Sequence, residues 1–142
     1  MSGVILAADQ LTKRLITASF APGHSVPVLP PLLSLTYVQN TGAAFGVLKG
    51  HQWFFIAISC VVIVWMLREF RRVHRMTRAS QWACALILGG AVGNLVDRLR
   101  LGYVVDFIDV HVWPVFNVGD SAITIGVALL VLHAFATRHS PD

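Results

Sequence analysis

Acidic side chains are scarce in this sequence, and more than half of them lie in one stretch. The chain has 7 aspartate and glutamate residues in 142, and those between Gly89 and the helix start near residue 120 are Asp97, Asp106, Asp109 and Asp120. Two carboxyl groups held close together cannot both be ionised cheaply, so they tend to share one proton. The ionised member can then activate a water molecule while the protonated member polarises a carbonyl group. Such a pair supports peptide hydrolysis of the aspartic type, with neither a covalent intermediate nor a metal.

Asp106 and Asp120 are the two carboxylates that the flanking elements can bring together. Residues 103–109 have strand composition, and the two-residue period of a strand turns Asp106 and Asp109 to opposite faces. Asp120 begins an apolar run with helical character, and Asn117, three residues earlier, suits a helix start. Because a helix N-terminus favours an anion, we expect Asp120 to be the base and Asp106 the acid, with the roles exchanging during turnover.

Other catalytic chemistries find less support in the sequence. Ser121 has no histidine that topology would supply, apart from His111, and Cys60 and Cys84 lie in apolar runs without a paired base. Those cysteines are better explained as small core residues than as a disulfide or a metal pair. The 6 histidines show no ligand spacing. We therefore predict neither a metal site nor a cofactor.

Composition places the chain in a membrane. The sequence is 56% hydrophobic and 13% charged, with a mean hydropathy of +0.68, whereas a soluble domain carries about 25% charged residues. We predict a single, mainly α-helical integral membrane domain over residues 1–142. The expected spans are residues 1–20, 52–70, 79–97 and 120–137, and the long loops that join them on one side are residues 21–51 and 98–119.

The arginines set the expected orientation. A cluster between the second and third apolar runs contains Arg68, Arg71, Arg72, Arg75 and Arg78. A cytoplasmic loop explains this cluster better than a nucleic-acid surface does. Both termini are then cytoplasmic, and both long loops lie outside. The polar residues that converge toward this outer end are Asp9, Asn40, Asn94, Asp97, Arg98, Asp106, Asn117 and Asp120.

The first apolar run carries charge where a membrane span should be apolar. Asp9 and Lys13 lie four residues apart, so they share a helix face and are expected to form a supporting ion pair. The residues before Asp9 make only about 12 Å of helix, too little to cross a hydrocarbon core of about 30 Å. We expect either a truncated first helix or a start further upstream.

The outer loops contain recognisable local signals. Residues 22–31 are rich in proline, which forbids a continuing helix, and residues 34–39 have strand composition. A turn at Asn40 to Gly42 precedes residues 43–48, which could form one short interfacial helix. Asp109 is expected to be solvated.

The third apolar run has a stripe of small residues for close helix contact. Ala85, Gly89 and Gly93 recur every four residues, and Asn94, Asp97 and Arg98 continue near that face. The stripe should carry these polar groups into a helix interface. We expect Asp97 to join a structural ion-pair network with its neighbour Arg98.

Five segments in order give the chain a family resemblance. They are Asp9 to Lys13, Asn40 to Gly46, Gly89 to Arg98, Val105 to Phe107, and Phe116 to Asp120. On a four-span topology they resemble the bacterial lipoprotein signal peptidases, or signal peptidase II, a family of membrane aspartyl peptidases. The resemblance implies four membrane helices, a small extramembrane β-sheet cradle and a short interfacial helix. It also implies an inner-membrane enzyme that cleaves lipid-modified prolipoproteins just before the diacylglyceryl-modified cysteine.

The resemblance assigns roles by motif. Asp106 and Asp120 would be the catalytic dyad. Substrate binding and support would fall to Asp9, Lys13, Asn40, Gly42, Asn94, Asp97, Arg98 and Asn117. The family has alanine where Gly119 stands, which predicts a looser backbone beside Asp120. The implied partners are the prolipoprotein, membrane lipids and globomycin-type peptide inhibitors, and a monomer without nucleic acid is expected.

Two other functional classes fit parts of the pattern. Intramembrane Asp, Asn and Arg side chains also suit a small proton-coupled transporter or a transporter subunit. The lack of an internal repeat, and acids gathered at one surface instead of the midplane, argue against it. A non-catalytic membrane scaffold would have no need of Asp106 and Asp120.

Overall fold

The fold is a helical bundle with a small sheet at one end. The structure, a computed structural model, describes residues 1–42, 51–72 and 76–138. The helices are α1 (Ser2–Ser19), α2 (Gln52–Phe70), α3 (Arg78–Leu101) and α4 (Val118–Arg138). The strands are β1 (Ser25–Leu29), β2 (Leu33–Asn40) and β3 (Val104–Asp109). The short helix predicted at residues 43–48 lies outside the described residues.

Three of the helices are long and apolar enough to cross a membrane. These segments are Gln52–Phe70, Arg78–Leu101 and Val118–Ala136. Helix α1 differs from them, because Asp9, Lys13 and Arg14 all fall within its 18 residues. Asp9 and Lys13 are nevertheless buried, since they face the neighbouring helices instead of lipid.

Helix α3 is the centre of the bundle, and its glycines allow two neighbours to approach closely. A Cβ on Gly89 would lie 2.8 Å from the backbone oxygen of Ser2 on α1. A Cβ on Gly93 would collide with the Asp9 carboxylate, and one on Gly90 would collide with the backbone oxygen of Gly119 on α4. The predicted small-residue stripe therefore packs against α1, and a second glycine face packs against α4.

The third helix runs further than the predicted 79–97. It continues to Leu101 and ends at Gly102, whose φ is 82° and whose N–H donates to the Arg98 oxygen at 3.1 Å. A left-handed glycine at this position is a common helix stop. Arg98 is consequently a helical residue and does not belong to the outer loop.

The three strands form an antiparallel sheet in the order β1-β2-β3. Strand β2 matches the predicted strand at residues 34–39, but β1 lies in the proline-rich segment where no strand was predicted. Pro27 is accommodated there because β1 is an edge strand, where a missing N–H costs little. Buried Tyr37, Val105 and Phe107 pack the sheet onto Ile16 of α1.

Candidate active site

The Asp106 carboxylate is buried and held by two asparagine amides. Its side chain is 1% exposed. Asn40 Nδ2 donates to Asp106 Oδ2 at 2.8 Å, and Asn117 Nδ2 donates to Asp106 Oδ1 at 2.7 Å. Both carboxylate oxygens therefore accept a hydrogen bond from a neutral donor, and within the described residues none comes from a cation.

The sheet supplies the first of those amides. Val38 on β2 pairs with Asp106 on β3, so Asn40, two residues further along β2, lies on the same face. The turn that follows orients the amide, because Gly42 N donates to Asn40 Oδ1 at 2.9 Å. With its oxygen occupied, Asn40 presents its NH₂ group to Asp106.

Asp120 and Asn117 cap the start of α4 reciprocally. Asp120 N donates to Asn117 Oδ1 at 2.9 Å, and Asn117 N donates to Asp120 Oδ2 at 3.3 Å. This is the capping-box pattern, which satisfies two backbone donors at a helix start, and it confirms the helix start predicted at Asn117. Since Asn117 Nδ2 also donates to Asp106, one buried asparagine contacts both carboxylates of the predicted dyad, Asp106 through its side chain and Asp120 through its backbone N–H.

Asn94 completes the network from α3. Its Nδ2 donates to Asp120 Oδ1 at 2.7 Å. Its Oδ1 accepts from Lys13 Nζ at 2.8 Å and from Asn117 Nδ2 at 3.2 Å. The Lys13 ammonium thereby fixes which end of the Asn94 amide faces Asp120.

A second pair of buried carboxylates lies beneath, and it surrounds a cation. Lys13 Nζ is 2.8 Å from Asp9 Oδ2 and 2.9 Å from Asp97 Oδ2. With the bond to Asn94, all three ammonium hydrogens have a partner. Asp9 Oδ1 also accepts from Gly119 N at 2.8 Å, which ties α1 to the residue beside Asp120.

This arrangement corrects the partner expected for Asp97. Asp97 pairs with Lys13 of α1, and its Oδ2 also accepts from Val105 N at 3.1 Å. The guanidinium of Arg98 lies instead over the Phe55 ring, 5.3 Å from the centroid, a cation–π arrangement. Successive helical residues project about 100° apart, so Asp97 and Arg98 cannot both face α1.

Burial and charge leave Asp106 unusually hard to ionise. Burial, and next the negative charge of Asp120, raise the pKa of Asp106 to about 7. The amides of Asn40 and Asn117 oppose this rise. A carboxyl group with such a pKa is available in its protonated form near neutral pH.

An apolar cavity of about 440 Å³ opens beside Asp120. Its other walls come from Val110, Trp113, Phe116, Ser121, Thr124 and Ile125. Asp120 is therefore next to a space suited to apolar groups.

The other candidate residues make contacts outside the network of Asp106 and Asp120. His111 does not serve Ser121, because its Nε2 lies 3.2 Å from Ser34 Oγ, while Ser121 Oγ donates to the Asn117 oxygen. Asp109 is not solvated as expected. Its side chain is 18% exposed and accepts from Thr36 Oγ1 and from His111 N, both at 2.9 Å. These bonds lower the pKa of Asp109, the His111 N–H most strongly.

Gln10 belongs to this network but was not singled out from the sequence. Its Nε2 donates to Asp97 Oδ1 at 2.9 Å and to the Gly93 oxygen at 3.2 Å. The available signal was its position between Asp9 and Lys13 in the first motif. The sequence could not identify the Val105 N–H as a partner of Asp97, because nearly every residue type has a backbone N–H.

The chain matches known proteins over nearly its full length. The family described as signal peptidase (SPase) II matches residues 1–136. The lipoprotein signal peptidase of Halothermothrix orenii is 44% identical over 139 residues, covering 98% of this chain and 95% of that protein. The one from Moorella thermoacetica is 46% identical over 127 residues, covering 89% and 85%.

Two solved structures share the fold. Both are described as bacterial membrane enzyme structures obtained by the in meso method. The first, at 2.3 Å resolution, has a TM-score of 0.94 and 33% identity, and covers 99% of this chain and 88% of that one. The second, at 1.9 Å, has a TM-score of 0.85 and 35% identity, and covers 94% and 88%.

Proposed function

Because the chain belongs to the signal peptidase II family, we propose that it removes the signal peptide from lipid-modified prolipoproteins and that Asp106 and Asp120 carry out the hydrolysis. The family match covers residues 1–136, and the chain is a peptidase of this family. One observation carries the assignment of the dyad. Buried Asp106 and half-buried Asp120, from different elements, both accept a hydrogen bond from Asn117, and among the described residues neither carboxylate accepts one from a cation.

The chemistry follows from the unequal surroundings of the two acids. Asp120, at the N-terminus of α4, takes a proton from the attacking water, while protonated Asp106 donates its proton to the scissile carbonyl oxygen. The tetrahedral intermediate then collapses. Asp120 passes its proton to the leaving amine, and the hydroxyl proton returns to Asp106, so the dyad ends with the one proton it started with. The pKa of Asp106, about 7, supports its assignment as the acid.

The neighbouring residues have supporting roles in this proposal. Asn40, Asn94 and Asn117 orient the two carboxyl groups through the bonds described above. Arg98 is assigned to the substrate backbone, because its guanidinium forms no ion pair with a carboxylate in the described part of the chain. The apolar cavity beside Asp120 would take apolar groups next to the scissile bond. Globomycin-type peptides would compete for the same space.

The membrane orientation is part of the proposal. Arg68, Arg71 and Arg72 lie at the end of the bundle away from the sheet, and a cytoplasmic position there follows the positive-inside rule. The sheet and the dyad then lie near the outer leaflet of the bacterial inner membrane, and both termini are cytoplasmic. Helix α1 would be the fourth transmembrane helix, with its charges turned toward α3 and α4. We treat residues 1–142 as one peptidase domain that acts as a monomer.

A cleavage assay tests the proposal directly. Purified protein in detergent is incubated with a lipid-modified prolipoprotein, and the released mature form is followed by gel shift. Asp106→Asn and Asp120→Asn should each abolish the shift, since either change removes one of the two required proton positions. Asp109→Asn, on the opposite face of β3, is the matched control and should cleave normally.

Two results would overturn the assignment. Substantial cleavage by either dyad variant would exclude the shared-proton mechanism. Absence of cleavage by the wild-type protein, with a cooperative melting transition to show that it is folded, would favour the transporter class instead.

A further inference from the structure

A second cavity lies on the far side of β3 from the dyad. It has a volume of about 320 Å³ and is bounded by the second half of α1, the end of α3 and the sheet. Val105 and Tyr103 line it, whereas Asp106, the residue after Val105, lies on the opposite face of β3. This alternation along the strand separates the cavity from the catalytic site.

The cavity carries positive charge without a matching negative charge. Arg14 of α1 and Arg100 of α3 both line it and are exposed. Within residues 1–42, 51–72 and 76–138, neither guanidinium forms an ion pair. The cavity wall also includes Lys13 and Asp97, which pair with each other at 2.9 Å within the buried cluster that contains Asp9. Two forked cationic donors therefore remain for an anion.

The roof of the cavity adds neutral polar groups. The hydroxyl groups of Tyr37 and Tyr103 are 3.4 Å apart, and Gln39 Nε2 donates to them at 3.2 and 3.0 Å. The hydrogen bond with Tyr37 raises the pKa of Tyr103, so its phenol stays protonated and available as a donor. Phosphate oxygens accept well from such a mixture of guanidinium and hydroxyl donors.

The position of the cavity distinguishes a lipid from a free anion. Arg14 and Arg100 lie near the ends of helices that enter the membrane-spanning bundle, close to the extramembrane sheet. Apolar side chains beside them are exposed: Leu11 and Leu15 on α1 and Leu101 at the cavity edge. Acyl chains can lie along these leucines while the headgroup enters the cavity.

We propose that this cavity binds the phosphodiester headgroup of an anionic membrane lipid between Arg14 and Arg100. The bound headgroup contacts α1, α3 and the sheet together. It therefore stabilises the sheet over the helices, because a ligand that binds only the folded state adds to its stability. The site is independent of the peptide bond being cut.

Binding is tested by thermal melting of the full-length protein in a neutral detergent. The probes are short-chain phosphatidylglycerol, short-chain phosphatidylcholine and inorganic phosphate, each titrated separately. Phosphatidylglycerol should raise the melting temperature saturably, and Arg14→Gln/Arg100→Gln should weaken its apparent Kd by about tenfold or more, since each removed group forms charge-assisted hydrogen bonds. Arg68→Gln/Arg71→Gln removes the same charge at the other end of the bundle and should bind like wild type.

The outcomes separate the possible sources of an effect. An equal loss in the Arg68→Gln/Arg71→Gln control, or an equal shift with phosphatidylcholine, would overturn the proposal. A full shift with inorganic phosphate would overturn the lipid assignment in favour of a free anion. Cleavage in lipid-free detergent should be unchanged in Arg14→Gln/Arg100→Gln, which shows that the variant is folded and keeps this test distinct from that of the dyad.

Discussion

Two pairs of carboxylates lie a few side chains apart in different surroundings: Asp9 and Asp97 are both buried, whereas Asp106 is buried and Asp120 is half-buried. Asp9 and Asp97 enclose the ammonium of Lys13, at 2.8 and 2.9 Å. Asp106 and Asp120 receive hydrogen bonds from asparagine amides and backbone N–H groups. One pair is in direct contact with a full positive charge, and the other accepts hydrogen bonds only from neutral donors among the described residues.

The difference shows how the surroundings of one residue type can suit it either to a structural ion pair or to the proposed catalytic role. A buried charge is tolerated when a counter-ion and hydrogen bonds satisfy it, and such a pair has little reason to exchange protons. Neutral amides hold a carboxyl group in place but offset little of the free energy that burial adds to its ionisation. The pKa of the carboxyl group therefore stays high, and the group can keep a proton near neutral pH. Asn94 joins the two regions, because it accepts from Lys13 and donates to Asp120.

Removing the cation should produce the largest effect on stability. Lys13→Met leaves Asp9 and Asp97 buried without a counter-charge, and we expect the free energy of unfolding to fall by about 3–5 kcal/mol. Denaturant or thermal unfolding in detergent measures this loss. Arg14→Met, at the exposed neighbouring position, is the control and should change stability far less. If both variants melted alike, the comparison between the two carboxylate pairs would lose its basis.

The dyad should show itself in the pH dependence of activity. Because the pKa of Asp106 is about 7, its proton is lost as pH rises through that value, and kcat/KM should then fall about tenfold per pH unit. Initial rates of prolipoprotein cleavage between pH 5 and pH 9 measure this limb.

The free energy of unfolding should also depend on pH through the ionisation of Asp106. The folded pKa of Asp106 lies above that of the unfolded chain, so the folded state binds the extra proton between about pH 4 and 7. Stability should therefore fall as pH rises through this window. A flat profile of both rate and melting temperature near pH 7 would contradict the role of Asp106 as acid.

A smaller effect is expected when one of the amides that hydrogen-bond to Asp106 is removed. Asn40→Ala removes a hydrogen bond that lowers the pKa of Asp106. The alkaline limb of the activity profile should move to higher pH, while the rate below it declines because Asp106 loses one of its two positioning amides. Gln39→Ala, the preceding residue on β2, should leave the limb in place. A shift of the limb to lower pH would show that the amide acts in the opposite sense.

The smallest effect is expected at Asp109. The N–H of His111 lowers the pKa of Asp109, so its contribution to stability is present above its usual pKa and is lost as pH falls through the lowered value. Asp109→Asn should reduce the melting temperature slightly at pH 7 and scarcely at all in strong acid. Because Asp109 lies outside the dyad, a large drop in cleavage by this variant would mean that the two regions are not separate.

The sequence could predict what depends on short spacings. Asp9 and Lys13 are one helical turn apart, and Asn117 and Asp120 are separated by the spacing of a helix cap, so both contacts follow from local geometry. The period of a strand was enough to separate Asp106 from Asp109. The strand and the helix start that flank them singled out Asp106 and Asp120 as a pair, and the resemblance assigned the same two residues to the dyad.

Contacts between distant segments could not be predicted in this way. The pairing of Asp97 with Lys13 depends on how α3 rotates against α1, and that rotation depends on Gly93 leaving room for the Asp9 carboxylate. From the sequence, the expected ion-pair partner of Asp97 was its neighbour Arg98. The Arg98 guanidinium instead lies over the Phe55 ring. Strand β1 was missed because the prolines of its segment indicated only where a helix cannot continue, whereas a strand containing Pro27 depends on its position at the sheet edge.

The bond between Asp9 and the Gly119 amide, at 2.8 Å, has a consequence for how the protein is made. The two residues are 110 positions apart, so a bacterial ribosome needs roughly 5–20 s to pass from one to the other. Until Asn94 and Asp97 of α3 have been synthesised, Lys13 can pair only with Asp9. The proposed dyad needs Asp120 at the start of α4, so it is completed only when the last helix has been synthesised.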